Sequence, residues 1–466
     1  MNELKRQHSL FVATCFVVGF IVGTGIFFLP GRILYEVDGN VTLGVTAWVI
    51  GGLMIAPCVY MFSIFAGRYE KMHGFVDYAE AIVGRRYGYL AGWFFAVMYQ
   101  PAGYAIIAWI TSGFVATLAG MVPGEEIYLP FRFFISAFFM SITFVMNYLA
   151  PKLPVKFNTG TVLARMIPLV LMGTVGVVIG LIPENEVVVP EVIDGTNHIG
   201  IFFAGFYRYR NASLFAAISA TAFAFNGWQA ALAFNTEIKD TKRNFPIAIM
   251  AGFGMVTVVY ILYFIGVANA SAESTHLMMQ GGGANFAQGT RHAFSEIFGP
   301  AGGLLIGFMI ISGLGILNAC CLGMSRAMYA LGRRGTGPMP ARMGELDGTT
   351  NVPNNSMVMA VGISFLWLFV IFANTMGWFG GFSFSLPDFY NFAFFGLLVP
   401  MFIFFAIKET ALHWAKRFVF PLLAVTGAGF MFTTYWLGSW LHAVVYTGLF
   451  VVLGLIGFFF GFKNVG

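Results

Sequence analysis

The 466-residue chain is 58% hydrophobic and only 10% charged, with a mean hydropathy of +0.80, against a charged share of roughly 25% in soluble domains. Such a balance excludes a protein for which water is the main solvent. The net charge of +5 acquires meaning only from where the basic residues fall.

Apolar runs long enough to cross a hydrocarbon core, about 20 residues at roughly 1.5 Å each, recur along the whole chain. They lie at 9–35, 41–67, 89–120, 130–149, 158–182, 212–236, 246–269, 299–332, 356–374, 388–407, 417–438 and 440–462. Because they are continuous and do not alternate, they predict helices and not a barrel. The expected fold is an all-α polytopic membrane protein of twelve transmembrane helices. The first run is too long for a signal-peptide core and no small-residue cleavage site follows it, so it is expected to stay in the mature chain. Between the spans, 68–88 reads either as an amphipathic surface helix, with Phe75, Tyr78, Ala79 and Ile82 at helical spacing, or as a packed loop. The stretches 183–211, 271–299 and 333–355 read as polar connections.

Threading twelve spans puts Lys5, Arg6, Arg68, Lys71, Arg85, Arg86, Lys152, Lys156, Lys239, Lys242, Arg243, Arg333, Arg334, Arg342, Lys408, Lys416, Arg417 and Lys463 on the side of the N-terminus. The other side has mainly Arg32, Arg132, Arg208, Arg210 and Arg291, among many acids. The positive-inside rule then places both termini in the cytoplasm of a plasma or inner membrane. The basic excess is topology, with the lipid bilayer as its partner and no nucleic acid. Cys15, Cys58, Cys320 and Cys321 all fall within spans, where cysteine packs as a small apolar residue, so no disulfide-linked partner subunit is expected.

Two spans are interrupted. The first carries Gly19-Phe20-Ile21-Val22-Gly23-Thr24-Gly25-Ile26-Phe27 and the sixth Phe223-Ala224-Phe225-Asn226-Gly227-Trp228. Glycine in a helix interior costs about 1 kcal/mol relative to alanine. An unwound segment at Gly23–Gly25 would free the amides of Thr24, Gly25 and Ile26 as the N-terminus of a second half-helix, which suits a carboxylate. The carbonyls just before it, near Phe20 and Ile21, would suit an ammonium, with further carbonyls near Phe223 and Ala224. On the first helix alone, Gly19-x-x-x-Gly23 reads equally well as a close-packing pattern of intact helices. The second interruption, five helices later, favours unwinding: five is odd, so two groups of five run in opposite senses, as in transporters with inverted repeats.

Three segments carry a family resemblance. They are Gly-Thr-Gly-Ile-Phe at 23–27, the run from Phe223 to Pro246, and Leu317-Asn318 through Ser325-Arg326 and Tyr329-Ala330-Leu331 to Gly335–Pro338. Together with the span spacing they resemble the amino acid-polyamine-organocation superfamily, nearest the L-type amino-acid transporters and bacterial serine/threonine exchangers. That resemblance implies a ten-helix inverted-repeat core over 1–407, in halves of about 9–182 and 212–407, followed by two further helices and a tail over 408–466. It also implies that Thr24 and Gly25 hold a substrate carboxylate, that the carbonyls of Ile21 and Phe223 hold its amino group, and that the Phe223 ring gates the site. Gly23, Ile26, Ala224, Asn226 and Gly227 complete the expected binding segments.

Departures from the family pattern narrow the expectation. Antiporters of this superfamily that handle diamines and arginine carry a glutamate where this chain has Gln229, and no Asp or Glu lies deep within a predicted span. Burying a second substrate cation without a counter-ion would be costly, so a neutral L-amino acid is expected; an amine, polyamine or proton-coupled transporter is the alternative. Arg165 stands in the fifth span where many sodium-independent relatives carry a lysine in place of a sodium ion, its competing reading being a side chain that snorkels to the surface. Weaker candidates are Gln100, Tyr104, Ser312, Asn318, Ser383 and Ser385. No metal or cofactor is expected. An intramembrane enzyme is disfavoured because His8, His73, His198, His276, His292, His413 and His442 sit in connections, tails or span ends and neither H-E-x-x-H nor G-x-S-x-G occurs. A channel would usually present a ring-forming filter in place of two broken helices.

Overall fold

The computed structural model describes residues 9–69, 75–150, 152–180, 213–232, 238–348, 352–380, 382, 384–438 and 440–461. Lys5, Arg6, His8, Lys71, His73, His198, Arg208, Arg210, Ser383, Lys463 and the 183–211 stretch lie outside them. The described architecture is helical throughout. Among the described residues, nine helices are long and apolar enough to cross a membrane, and α1 (Leu10–Ile21) and α2 (Gly25–Glu36), which meet at a bend of 53°, form a tenth if taken as one span. Two shorter apolar helices, Ala164–Ile179 and Leu214–Ala224, accompany them.

Local chemistry sets the ends. Ser9 Oγ accepts from the Val12 amide at 3.5 Å at the start of α1, and Asn40 Oδ1 from the Leu43 amide at 3.0 Å at the start of α3 (Val41–Arg68). A surface helix, α4 (Phe75–Ile82), follows, with Phe75, Tyr78, Ala79 and Ile82 buried. Within 68–88, residues 75–82 are helical as in the first reading, with Phe75 packed on Phe62, Phe95 and Phe394 of the bundle. Next come α5 (Arg85–Leu118), α6 (Tyr128–Leu149) and α7 (Lys152–Leu171), the last continuing through a π-helical turn at Met172–Gly176 to Gly180. In α5 a π-helical turn at Phe95–Tyr99 precedes Pro101. Proline has no N–H for the carbonyl four residues back, and that carbonyl, Val97, accepts instead from Trp367 Nε1 at 3.0 Å.

The sixth span is α8 (Leu214–Ala224), a turn at 225–227, and the single turn α9 (Trp228–Ala231). It is followed by α10 (Thr241–Ala268), α11 (Ala272–Gly283), α12 (Phe286–Phe298), α13 (Gly302–Arg333), α14 (Asn354–Thr375), α15 (Leu386–Lys408), α16 (Phe420–Gly438) and α17 (Trp440–Gly461). The 271–299 stretch, expected as a plain connection, is thus two helices. Their buried residues, including Met278, Phe286, Ala287, Ala293 and Phe294, form an apolar face that a search for spans overlooks, because the opposite face is polar.

The helices meet closely where side chains are small, as in membrane bundles generally. A Cβ on Gly266 of α10 would stand 2.0 Å from the Met172 carbonyl of α7, and one on Gly315 of α13 would stand 2.1 Å from Thr161 Oγ1 of α7. Polar ties close both ends. At the end where α1 begins, Arg68 pairs with Glu409 at 2.8 Å, and Arg334 pairs with Asp77 and with Glu80. At the far end, Arg32 of α2 pairs with Asp388 of α15 at 2.6 Å and donates to Ser385 Oγ at 3.0 Å.

Candidate functional site at two abutting helix breaks

The breaks in the first and sixth spans lie against each other. A Cβ on Gly25 would stand 3.1 Å from Ala224 Cα and 3.1 Å from the Phe223 ring. Gly227 has φ +109°, and a Cβ there would fall 2.2 Å from the Phe20 carbonyl oxygen. Only glycine combines that left-handed backbone with so close an approach. Sequence and geometry therefore agree that these glycines let two backbones touch where their helices end.

At the break, α1 ends on Val22 and α2 begins at Gly25 with Thr24 as its cap. Helix geometry leaves the first amides of α2 without intrahelical partners. Thr24 caps none of them: its Oγ1 is buried and unpartnered, while the residue itself is 1% exposed. A buried polar atom without a partner is uncommon. Here it stands at the positive end of a helix dipole.

The carbonyl side is held by two residues. Arg165 Nη1 donates to the carbonyls of Gly19 and Val22, each at 3.0 Å, so a cation sits on the negative C-terminus of α1. The guanidinium is anchored to its own helix through the Thr161 carbonyl at 3.3 Å, and Arg165 is 3% exposed, which rules out snorkelling to the surface. On the other flank, Tyr260 of α10 donates its hydroxyl toward the carbonyls of Ile21 at 3.0 Å and Ala224 at 3.2 Å, tying both breaks to one side chain.

Aromatic rings cover the site on the far side. Phe223 is half-buried and meets Phe28 edge-on with centroids 5.6 Å apart; Phe28 meets Phe286 of α12 at 5.8 Å. Phe223 also lies 5.6 Å from the Tyr390 ring, which stacks on Tyr99 at 4.0 Å. The turn after α8 is fixed from two sides. Asn226 Nδ2 donates to Asn391 Oδ1 at 2.6 Å, and Gln229 Oε1 accepts from the Gly227 amide at 2.8 Å while its Nε2 donates to the Tyr99 hydroxyl at 3.1 Å.

Of the residues singled out in the sequence, Ile21, Gly23, Thr24, Gly25, Ile26, Phe223, Ala224, Asn226, Gly227, Gln229 and Arg165 cluster at these breaks. Gln100 of α5 stands beside α13, about one bond-contact from Gly323, whose Cβ would meet its amide at 3.5 Å. Ser312 is buried on α13. Three candidates are turned elsewhere. Tyr104 donates to the Met140 carbonyl of α6 at 2.7 Å, and Asn318 Oδ1 accepts from Asn147 of α6 at 2.7 Å, so both join helices to one another. Ser385 is engaged by Arg32 in the far-end ion pair. Sequence reasoning missed Tyr260, Tyr99, Tyr390 and Asn391, none of which lies in a recognisable motif; being a polar residue within an apolar run is the one signal they carry.

An all-helical bundle with many apolar spans and paired helix breaks at its centre defines a polytopic membrane transporter. The family model "Amino acid permease" matches residues 9–462, and the chain belongs to that family. It is a transport protein and not an enzyme. It is 25% identical to the serine/threonine exchanger SteT of Bacillus subtilis (strain 168), over 99% of this chain and 98% of that one. It is similar, at 23% identity over 98% of this chain and 88% of the relative, to the b(0,+)-type amino acid transporter 1 of Rattus norvegicus. The glutamate/serine transporter AimA of Bacillus subtilis (strain 168) is 26% identical over 79% of this chain and 67% of its own length.

Proposed function

We propose that the chain exchanges neutral L-amino acids across a plasma or inner membrane by alternating access, without sodium. The observation that carries this reading is the abutment of the two helix breaks. One ligand placed there meets an amide end at Thr24, Gly25 and Ile26 and a carbonyl end at Ile21 and Phe223, matching a carboxylate and an ammonium on a single carbon. Phe223, touching Gly25 and edge-on to Phe28, is the gate that must swing aside. The names of the relatives, among them two amino-acid exchangers or transporters acting on serine, support the substrate class.

Arg165 supports the coupling assignment. A fixed guanidinium on the carbonyls of Gly19 and Val22 stands in for a cation that would otherwise bind α1. Arginine does not release its proton at physiological pH, so neither a sodium ion nor a proton is exchanged at this position. A twelve-span, five-plus-five inverted arrangement over 1–407, with α16 and α17 appended, accounts for the breaks falling in the first and sixth spans. Up to ten spans among the described residues, with two shorter apolar helices beside them, support this reading. The excess of basic residues at the end of the bundle where α1 begins favours a cytoplasmic location for that end. The far end, closed by Arg32–Asp388 and by α11 and α12 over α2, is then the outer side.

A competition panel of amino acids and diamines against labelled uptake in proteoliposomes tests the reading. Neutral α-amino acids are expected to compete and diamines not. Competition by diamines alone, or strong stimulation by sodium or an inward proton gradient, overturns it.

A further inference from the structure

Several tyrosines tie this bundle together by donating to carbonyls. Tyr87 donates to the Leu397 carbonyl of α15, Tyr89 to Gly457 of α17 and Tyr104 to Met140 of α6, each joining its own helix to one other. Tyr260 of α10 reaches two. Its hydroxyl lies 3.0 Å from the Ile21 carbonyl and 3.2 Å from the Ala224 carbonyl, and these are the last residues of α1 and α8. Carbonyls at a helix C-terminus lack an intrahelical N–H and carry the negative end of the helix dipole. A hydroxyl has one proton to donate, so two such carbonyls, from two helices, share one donor.

That donor cannot follow a moving partner. Tyr260 is 0% exposed, with its ring edge-on to Trp48 at 5.6 Å and 5.7 Å from the Phe225 ring, and tyrosine has only two side-chain torsions. Arg165, the other side chain on this end of α1, has a longer stem and several donors, so it can keep its hold on Gly19 and Val22 through a small displacement. The Tyr260–Ile21 bond, at 3.0 Å, is lost once α1 carries the carbonyl about 0.5 Å farther away. A buried carbonyl left without a donor is costly. In the reading above, the substrate ammonium binds at these same helix ends, where it supplies the donor that Tyr260 can no longer provide.

We propose that Tyr260 is the positioning residue that makes transport obligatory exchange: it locks the empty break, and α1 leaves it only when a substrate ammonium has taken over the carbonyls. The assignment rests on the amino-acid exchange reading and deepens it by naming the group that stops the empty carrier from returning. Without the hydroxyl, α1 is free to move in the empty protein. Net passage then appears with no substrate on the other side.

The test compares labelled serine entry into proteoliposomes preloaded with unlabelled serine and into empty ones, per inserted molecule, for the wild type and Tyr260→Phe. The ratio of preloaded to empty entry is expected to fall about five- to tenfold, because entry into empty vesicles rises while exchange is kept. A purely structural role lowers both rates together, and an unchanged ratio overturns the proposal. Should Tyr260→Phe insert poorly, 4-fluorophenylalanine at position 260, which fills the space of the hydroxyl without donating, is read by the same ratio. 4-Aminophenylalanine there restores a donor and is expected to restore the ratio; failure to do so in normally inserted protein also overturns the proposal. Wild-type protein that fills empty vesicles as fast as preloaded ones contradicts the exchange reading itself, before any variant is compared.

Discussion

From Gly25 to Gly31, every residue of α2 is buried, and α11 packs its Met278 carbonyl so close that a Cβ on Gly31 would stand 2.8 Å from it. In α1 the buried residues are Ala13, Thr14, Val17 and Ile21, while Phe11 is 76% exposed and Cys15 is exposed. The same span is therefore enclosed almost all round beyond its break and buried on one face before it. Elements with fewer buried residues are released at less cost. The less enclosed half adds directed bonds to its packing on α10: Arg165 on Gly19 and Val22, and Tyr260 on Ile21. On the proposed reading, movement of α1 about Gly23 would open the N-terminal side of the site while Arg32, Asp388 and the aromatic rings keep the far side shut. Alternating access needs this asymmetry, since only one barrier is to be lowered at a time.

The comparison breaks most severely at Arg165. Arg165→Met removes two charge-assisted bonds, each worth about 1.5–3 kcal/mol, and is expected to lower exchange about 100-fold or more in proteoliposomes while leaving α2 packed. Near-normal exchange would mean that α1 is held by something else. Gly227→Ala comes next. Its methyl group, 2.2 Å from the Phe20 carbonyl on a backbone with φ +109°, forces the breaks apart, with an expected loss of about 30-fold read as uptake per inserted molecule.

Thr24→Val should leave thermal stability within about 0.5 kcal/mol, because the hydroxyl it removes bonds nothing in the protein. The KM for amino acid is expected to rise about five- to tenfold. Unaltered KM would take Thr24 out of the site. The smallest effect is expected at the far end. Arg32→Gln breaks the pair with Asp388 and should raise labelling of a cysteine introduced at Thr24, which leaves the rings in place, by an impermeant thiol reagent about two- to fivefold. Labelling that does not change would show that the stacked rings close that side unaided.

Much of the fold was legible because a bilayer demands long apolar helices and because glycine pairs weaken them at nameable places. The breaks at Gly23–Gly25 and Asn226–Gly227 were readable for those reasons, whereas Arg165 stood out through the family resemblance. The partners were not. Tyr260 and Asn391 acquire their roles from neighbours more than 150 residues away in sequence, 239 for Tyr260 to Ile21 and 165 for Asn226 to Asn391, and periodicity indicates a buried face without naming what covers it. Tyr104 and Asn318 show the converse error: each is a polar residue in the right span that faces α6 and not the break. The helices α11 and α12 escaped because half their surface is polar, which hydropathy alone reads as loop.

Counterflow in sodium-free proteoliposomes tests the central claim most directly. Labelled serine outside should accumulate transiently in vesicles preloaded with unlabelled neutral amino acid, and hardly enter empty ones. Equal entry into empty vesicles, or entry that requires a sodium or proton gradient, would contradict an exchange site built on two helix breaks and a fixed arginine.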